Sequence, residues 1–226
     1  MSVDLTSNST FLFPFPNNSN QNHIKLSSRV LPAVTRSSHK RTLVLDLDET
    51  LVHSSQQPIE NPDNIVTLSN GTNTRTFFVK YRPGLMEFLR KVLKVFELVI
   101  YTASTKEYAE QVINKLDPQR KILKYRLYRD DCIQIGGHFV KDLSRLGRDL
   151  SQVVILDNSI TSFAHHLDNG ILILSWFDDP SDNELWKVAN LLEQLINTQD
   201  VRPILNSIFN LPKIIQEYQQ KYLDSN

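Results

Sequence analysis

Residues 42–54 read TLVLDLDETLVHS, and the apolar run Leu43-Val44-Leu45 stops directly on Asp46, with Leu47 and Asp48 behind it. A short continuous apolar run is the mark of a strand buried on both faces, as in a parallel sheet covered by helices. Alternation puts residues i and i+2 on the same side of an extended chain, so Asp46 and Asp48 point together beyond the strand end. Two carboxylates that close repel. Either one stays protonated, or a divalent cation lets one coordinate as a carboxylate while the other remains available for proton transfer. The pair asks for a metal, a proton or both.

The pattern after this strand supports that sheet. VTLSNGTNTRTFFVKYR (66–82) reads as two strands turning near Asn70-Gly71, a dipeptide suited to positive backbone angles. Pro83 opens a helix through about Phe96 with Leu85, Phe88, Leu89, Val92 and Leu93 on one stripe, and FELVIYT (96–102) follows as a strand. Ser104 reads as the cap of the next helix, with Glu107 at its third position and its end near Leu116. Then come YRLYRDDC, a Gly136-Gly137 turn, HFVKDL, a short helix, the strands QVVILD (152–157) and ILIL (171–174), and two helices after Asp182 and Arg202. There is no internal repeat. Strands alternating with helices predict an α/β fold with a central parallel sheet, and ligands of such sheets gather beyond the carboxyl ends of the strands. Three predicted strands end in polar residues: Asp46 and Asp48, then Thr102 and Ser104, then Asp157 and Asn158. They are expected to converge on one site.

The 226 residues are 40% apolar and 22% charged, enough for one globular domain and a tail. Residues 1–40, crowded with Ser, Thr and Asn, read as a disordered tail, and 41–226 as the folded domain with its carboxy-terminal helices. The 25 basic and 25 acidic side chains cancel, which gives no global bias toward nucleic acid. No apolar run approaches the ~20 residues of a membrane span, and FLFPFP (11–16) is short and broken by Pro14 and Pro16. A single cysteine, Cys132, excludes an intrachain disulfide and fits a reducing compartment, so nuclear or cytoplasmic residence is expected. His39-Lys40-Arg41 is too short to read as an import signal, and His165-His166 reads as a helix-surface pair.

The chemistry of the strand ends suits phosphate-ester hydrolysis. A carboxylate nucleophile such as Asp46 gives an acyl phosphate that water readily hydrolyses. Asp48 is placed to protonate the departing alkoxide and later to take a proton from the attacking water. Asp157 offers a further carboxylate for Mg²⁺, Thr102 a hydroxyl for a phosphate oxygen, and Lys141 a cation. Cysteine-phosphatase chemistry is excluded, because the residue six after Cys132 is His138 rather than arginine. No G-x-x-x-x-G-K-[ST] loop occurs, so hydrolysis is favoured over nucleotide-dependent transfer.

DLDETLVHS, YTAS, the lysine of VKDL with LGRDL following, and ILDNS together resemble the haloacid dehalogenase superfamily, specifically its carboxy-terminal-domain (CTD) phosphatases. The resemblance spans about residues 41–210. It implies a Rossmann-like three-layer sandwich with a small β-hairpin insertion and no large cap. It also implies Asp46 as nucleophile and Mg²⁺ ligand, and Asp48 as general acid/base and backbone ligand. Thr102 and Lys141 would bind phosphate, Asp157 and Asn158 would complete the metal site, and Thr50 would brace the first motif. Tyr108 and Arg129 match positions on the substrate side. KLDPQRKILKYRLYRDDC, SWFDDPSDNEL and DVRPIL look more like the small CTD phosphatases and the Dullard-type branch than the large polymerase-bound members.

Where the small CTD phosphatases have apolar pocket residues, this chain has Gln56, Asn70 and Thr105, and Ile160 follows ILDNS where proline is common. A more polar pocket weakens the expectation of a proline-rich peptide, since such peptides dock by apolar contact. The leading expectation is a Mg²⁺-dependent protein serine/threonine phosphatase acting on the polymerase CTD or another phosphoprotein, with a regulatory partner left open. The alternatives are a catalytically silent phosphoprotein-binding scaffold and a small-molecule phosphatase.

Overall fold

The structure, a computed structural model, describes residues 30–33, 41–71 and 73–224. In chain order its elements are β1 (Arg41–Leu45), β2 (Val52–Ser55), β3 (Asn64–Asn70), β4 (Asn73–Tyr81), α1 (Leu85–Val92), β5 (Phe96–Tyr101), α2 (Lys106–Leu116), β6 (Tyr125–Leu127), β7 (Ile133–Ile135) and β8 (His138–Val140). They continue with β9 (Val153–Asp157), β10 (Gly170–Leu172), α3 (Glu184–Leu195), α4 (Arg202–Phe209) and α5 (Leu211–Asp224).

The continuous apolar runs form the central layer. β1, β5, β6, β9 and β10 pair in parallel in the order β10-β9-β1-β5-β6. Leu43, Val44 and Leu45 are fully buried, because alternate side chains enter two separate cores. Leu43, Leu45, Leu98 and Ile100 face α1, α2 and α3, while Val44, Val99, Val153 and Ile155 face a second cluster with Phe163, Leu211 and Ile215. Full burial contributes about 1.5–3 kcal/mol for each such side chain, which fixes the register of β1 between β5 and β9. That register aligns Leu45 with Ile100 and Leu156, so the ends of all three strands lie side by side.

The expected hairpin is a three-stranded antiparallel sheet, β2-β4-β3, because β2 pairs with the far half of β4. No large cap stands between β1 and β5. The helix after Pro83 is shorter than its apolar stripe predicts. Gly84 sits in the left-handed region (φ 73°) and delays its start, and bonds back to Lys91 and Val92 close a turn over Lys94 and Val95 before Phe96 joins β5. The last stretch holds three helices rather than two, since Asn210 (φ 48°) ends α4 in the left-handed region. No helix among the described residues is long and apolar enough to cross a membrane.

Most of the stretch read as a tail, including FLFPFP and His39-Lys40, lies outside the described residues. Within it, the Val30 N–H donates to the Arg145 carbonyl at 3.0 Å, and Leu31 is buried in the second core cluster.

Candidate active site

The carboxyl end of the sheet gathers the polar residues that end the strands. Asp46 leaves β1 still tied to the sheet, its N–H donating to the Leu156 carbonyl at 3.0 Å. Asp157 closes β9, its carbonyl accepting from Ile173 at 3.0 Å. Lys141, directly after β8, reaches between the two. Its Nζ donates to Asp46 Oδ1 and to Asp157 Oδ2, each at 2.6 Å. Lys141 and Asp157 have no exposed surface and Asp46 is 6% exposed, so all three are bound by charge rather than by water. Burial alone would lower the Lys141 amine, but Asp157 and Asp46 outweigh it and hold it above the ordinary lysine range. Burial pushes the Asp157 carboxyl above its ordinary value while Lys141 pulls the other way, and the Ser159 N–H steadies its Oδ1 at 2.8 Å.

Asp48 belongs to a second group. Ser104 Oγ donates to its Oδ2 at 2.6 Å and the Tyr108 hydroxyl to its Oδ1 at 2.7 Å. Burial raises the Asp48 carboxyl above its ordinary value, with those two hydrogen bonds opposing. Tyr108 is raised by burial and by Asp48, which keeps its phenol a donor. Just beyond, Glu49 takes a left-handed conformation (φ 58°) and turns the chain into β2. Two ties hold this loop: the Trp176 N–H donates to the Glu49 carbonyl at 2.8 Å, and the buried Arg82 donates to the Thr50 carbonyl at 3.1 Å while gripping Asp182 with two bonds. A non-glycine residue in that region is strained by about 1 kcal/mol, which the ties offset.

Thr50 and Asn158 meet directly, Oγ1 donating to Oδ1 at 3.3 Å, and Asn158 Nδ2 reaches Ser175 Oγ at 2.9 Å. Thr102 follows β5 almost fully buried, its N–H on the Leu127 carbonyl and its hydroxyl accepting the Ser104 N–H at 3.0 Å. Arg129 lies against the same loop, donating to the Ala103 carbonyl at 2.7 Å with its guanidinium 5.0 Å from the Phe139 ring centre. Hydrogen bonds thus join Asp46 to Lys141 and Asp157, Thr50 to Asn158, and Asp48 to Tyr108.

Ser104 is a correction to the sequence reading. Thr105, not Ser104, stands at the N-cap of α2, and no side-chain capping bond forms. The Ser104 hydroxyl serves Asp48 instead. Ser104 was visible in YTAS, but capping propensity and carboxylate binding ask for the same residue type.

The donor set fits Mg²⁺. Among the described residues no three His, Cys, Asp or Glu side chains form a ready cage, but Mg²⁺ takes one or two carboxylates and fills its remaining positions with water and substrate oxygens. The charges ask for it as well. Asp46 and Asp157 share the single amine of Lys141, with Asp48 close behind, so a phosphate dianion needs further positive charge to approach.

A buried lysine shared by two strand-end carboxylates, on a parallel sheet without a large cap, is the arrangement that the resemblance to haloacid-dehalogenase-type CTD phosphatases leads one to expect. The chain belongs to the NLI interacting factor-like phosphatase family, whose pattern matches residues 41–202. It is 49% identical over 187 residues to CTD small phosphatase-like protein 2 of Dictyostelium discoideum, covering 83% of this chain and 33% of that protein. It is 43% identical over 180 residues to the human Carboxy-terminal domain RNA polymerase II polypeptide A small phosphatase 2, covering 79% of this chain and 66% of that one. This chain thus spans between a third and two thirds of the length of these curated relatives. Among solved structures, Fcp1, an essential RNA polymerase II CTD phosphatase, aligns with a TM-score of 0.52 at 28% identity over 74% of this chain and 53% of its own. A fission yeast Fcp1 variant bound to beryllium fluoride aligns with a TM-score of 0.52 at 25% identity, over 82% and 56%.

Proposed function

We propose that this chain is a Mg²⁺-dependent protein serine/threonine phosphatase that works through an aspartyl-phosphate at Asp46. The observation that carries the reading is the fully buried Lys141, 2.6 Å from both Asp46 and Asp157 at the carboxyl end of the sheet. One cation between two carboxylates holds Asp46 aimed, as a nucleophile requires.

In this mechanism the Lys141 amine and the Thr102 hydroxyl meet phosphate oxygens, and an Asp46 carboxylate oxygen attacks phosphorus in line. The bond from phosphorus to the substrate oxygen breaks as Asp48 gives that oxygen its proton. Water then loses a proton to Asp48 and attacks the same phosphorus, which frees Asp46 and releases phosphate. Mg²⁺, which Asp46, Asp157, Asn158 and the Asp48 carbonyl would hold, supplies positive charge for the phosphate oxygens when bound. Thr50 braces Asn158, and Tyr108 and Arg129 border the substrate.

An insertion of only three strands leaves the site open, which favours a phosphorylated polypeptide over a metabolite that must be enclosed. The polymerase CTD named for the relatives, or another phosphoprotein, is the substrate in this reading, with the work done in the nucleus or cytoplasm. The catalytic unit is residues 41–226, against whose second core Val30 and Leu31 pack. Turnover of phosphoserine peptides against a panel of sugar phosphates, with Mg²⁺ or EDTA, tests the proposal. Peptides preferred and EDTA inhibitory is the expected result. A preference for the sugars contradicts the substrate class, and full activity in EDTA contradicts the metal.

A further inference from the structure

General acid catalysis needs more than a carboxyl group; it needs one held within hydrogen-bond reach of the leaving oxygen. Asp48 is gripped on both oxygens, by Ser104 Oγ at 2.6 Å and by the Tyr108 hydroxyl at 2.7 Å. Its carboxylate cannot turn without breaking both bonds. Each gripping hydroxyl is itself fixed. Ser104 is set by its N–H on Thr102 Oγ1 at 3.0 Å and by its carbonyl, which accepts the Arg129 N–H at 3.0 Å. The Tyr108 ring rests against Phe77 of β4, centres 5.0 Å apart, and its hydroxyl also bonds Ser54 on β2. The Ser104 hydroxyl caps no helix.

The geometry points to Ser104 and Tyr108 as positioning residues that aim Asp48 at the leaving oxygen of the substrate. This inference rests on the phosphatase reading above and deepens it. In the ionised state both hydroxyls donate to Asp48. Each carboxyl oxygen keeps a second lone pair, so Asp48 can carry its proton toward the substrate while both hydroxyls go on donating. The proton then passes to the leaving oxygen as its bond to phosphorus breaks. Aim matters in proportion to how badly the leaving group needs that proton. A serine alkoxide needs it acutely, whereas 4-nitrophenolate departs almost unaided. The hairpin sheet enters through the bond of Ser54 to Tyr108, which ties the insertion to the proton-delivering group.

The test is kcat/KM on 4-nitrophenyl phosphate, phenyl phosphate and a phosphoserine peptide, for the parent chain, Ser104→Ala, Ser104→Thr, Tyr108→Phe and Asp46→Asn. kcat/KM covers only the steps through loss of the leaving group, where Asp48 acts as the acid. Ser104→Ala and Tyr108→Phe are each expected to lose about tenfold on the peptide and about twofold on 4-nitrophenyl phosphate, with phenyl phosphate between, a share of the ~10²–10⁴-fold that general acid catalysis contributes. Ser104→Thr, which keeps the hydroxyl, is expected to recover most of the loss. Thermal melting confirms folding, and Tyr108→Phe carries the test alone if Ser104→Ala does not fold. Equal losses on all three substrates, or no loss on the peptide, overturn the inference. Activity retained in Asp46→Asn overturns the nucleophile assignment instead, so the two failures are distinguishable.

Discussion

The central sheet carries a buried charge cluster at each end, and the two are built differently. At the amino end, Glu97 at the start of β5 accepts two bonds from Arg148, at 2.6 and 2.8 Å, and a third from the Thr42 hydroxyl at 3.0 Å. The Arg148 guanidinium grips Glu97 through a fork that matches carboxylate geometry. At the carboxyl end, one lysine serves two carboxylates, with Asp48 close behind in the sequence. The first sets a guanidinium fork on one carboxylate, whereas the second sets two carboxylates on one lysine. A matched fork stabilises a fold, whereas a shared lysine, held rigid and dry, is set to receive a cation and a phosphate. Burial alone does not separate the two; the pairing does.

The contrast is sharpest in substitution. Asp46→Asn is expected to lower phosphopeptide turnover by ~10⁴-fold or more while leaving the fold intact, as removal of a nucleophile does; steady-state assay beside circular dichroism checks both halves. Lys141→Ala leaves two buried carboxylates facing each other. It is expected to cost about 10²-fold in kcat and about 3 kcal/mol of stability, read by kinetics and by urea titration. Arg148→Ala should lose a similar ~3 kcal/mol by leaving Glu97 without its guanidinium, yet keep kcat/KM within about twofold. A large kinetic effect there would break the comparison.

Two pH effects are smaller. In the proposed mechanism Asp48 acts first as an acid, and burial raises its carboxyl above the ordinary value. Its protonated form therefore persists to higher pH than for an exposed aspartate. kcat/KM on a phosphoserine peptide should fall as pH rises through that raised value, and a profile on 4-nitrophenyl phosphate should fall less. Asp142, next to Lys141, shows the opposite sign. Burial would raise it, but His166 at 2.9 Å and Ser144 win and hold it at about 2. A depressed carboxylate stabilises the folded state above its unfolded value and loses that contribution as pH falls toward 2. Asp142→Asn should therefore destabilise by about 1 kcal/mol at pH 7, allowing for solvent screening, and the difference should vanish near pH 2 in thermal melts.

Much of this was legible in the sequence because the central layer and its strand ends are dictated locally. LVLD, LVIYT and VVILD each state where a buried strand stops and polar chemistry begins, and parallel pairing brings those stops together. What the sequence concealed depends on contacts across distance. Ser104 has the composition of a cap, and only folding brings it to Asp48, 56 positions earlier. The apolar stripe after Pro83 continues past Val92, and its stop is set by Phe96 joining β5. Arg82 reads as an ordinary strand-end arginine until Asp182, 100 positions on, is found to clamp it under the first motif. The break at Asn210 was legible but passed over: an asparagine with Pro212 two residues on is a helix-stop signal.

The most direct test of the account is to locate the phosphoryl group on the enzyme. A labelled phosphoserine peptide would be mixed with the Mg²⁺-loaded protein, quenched in acid within one turnover, and the digested chain read by mass spectrometry. The expected result is an acid-stable, hydroxylamine-labile phosphate on Asp46, absent from Asp46→Asn. Turnover with no phosphate on Asp46, or with phosphate on another residue, would contradict it.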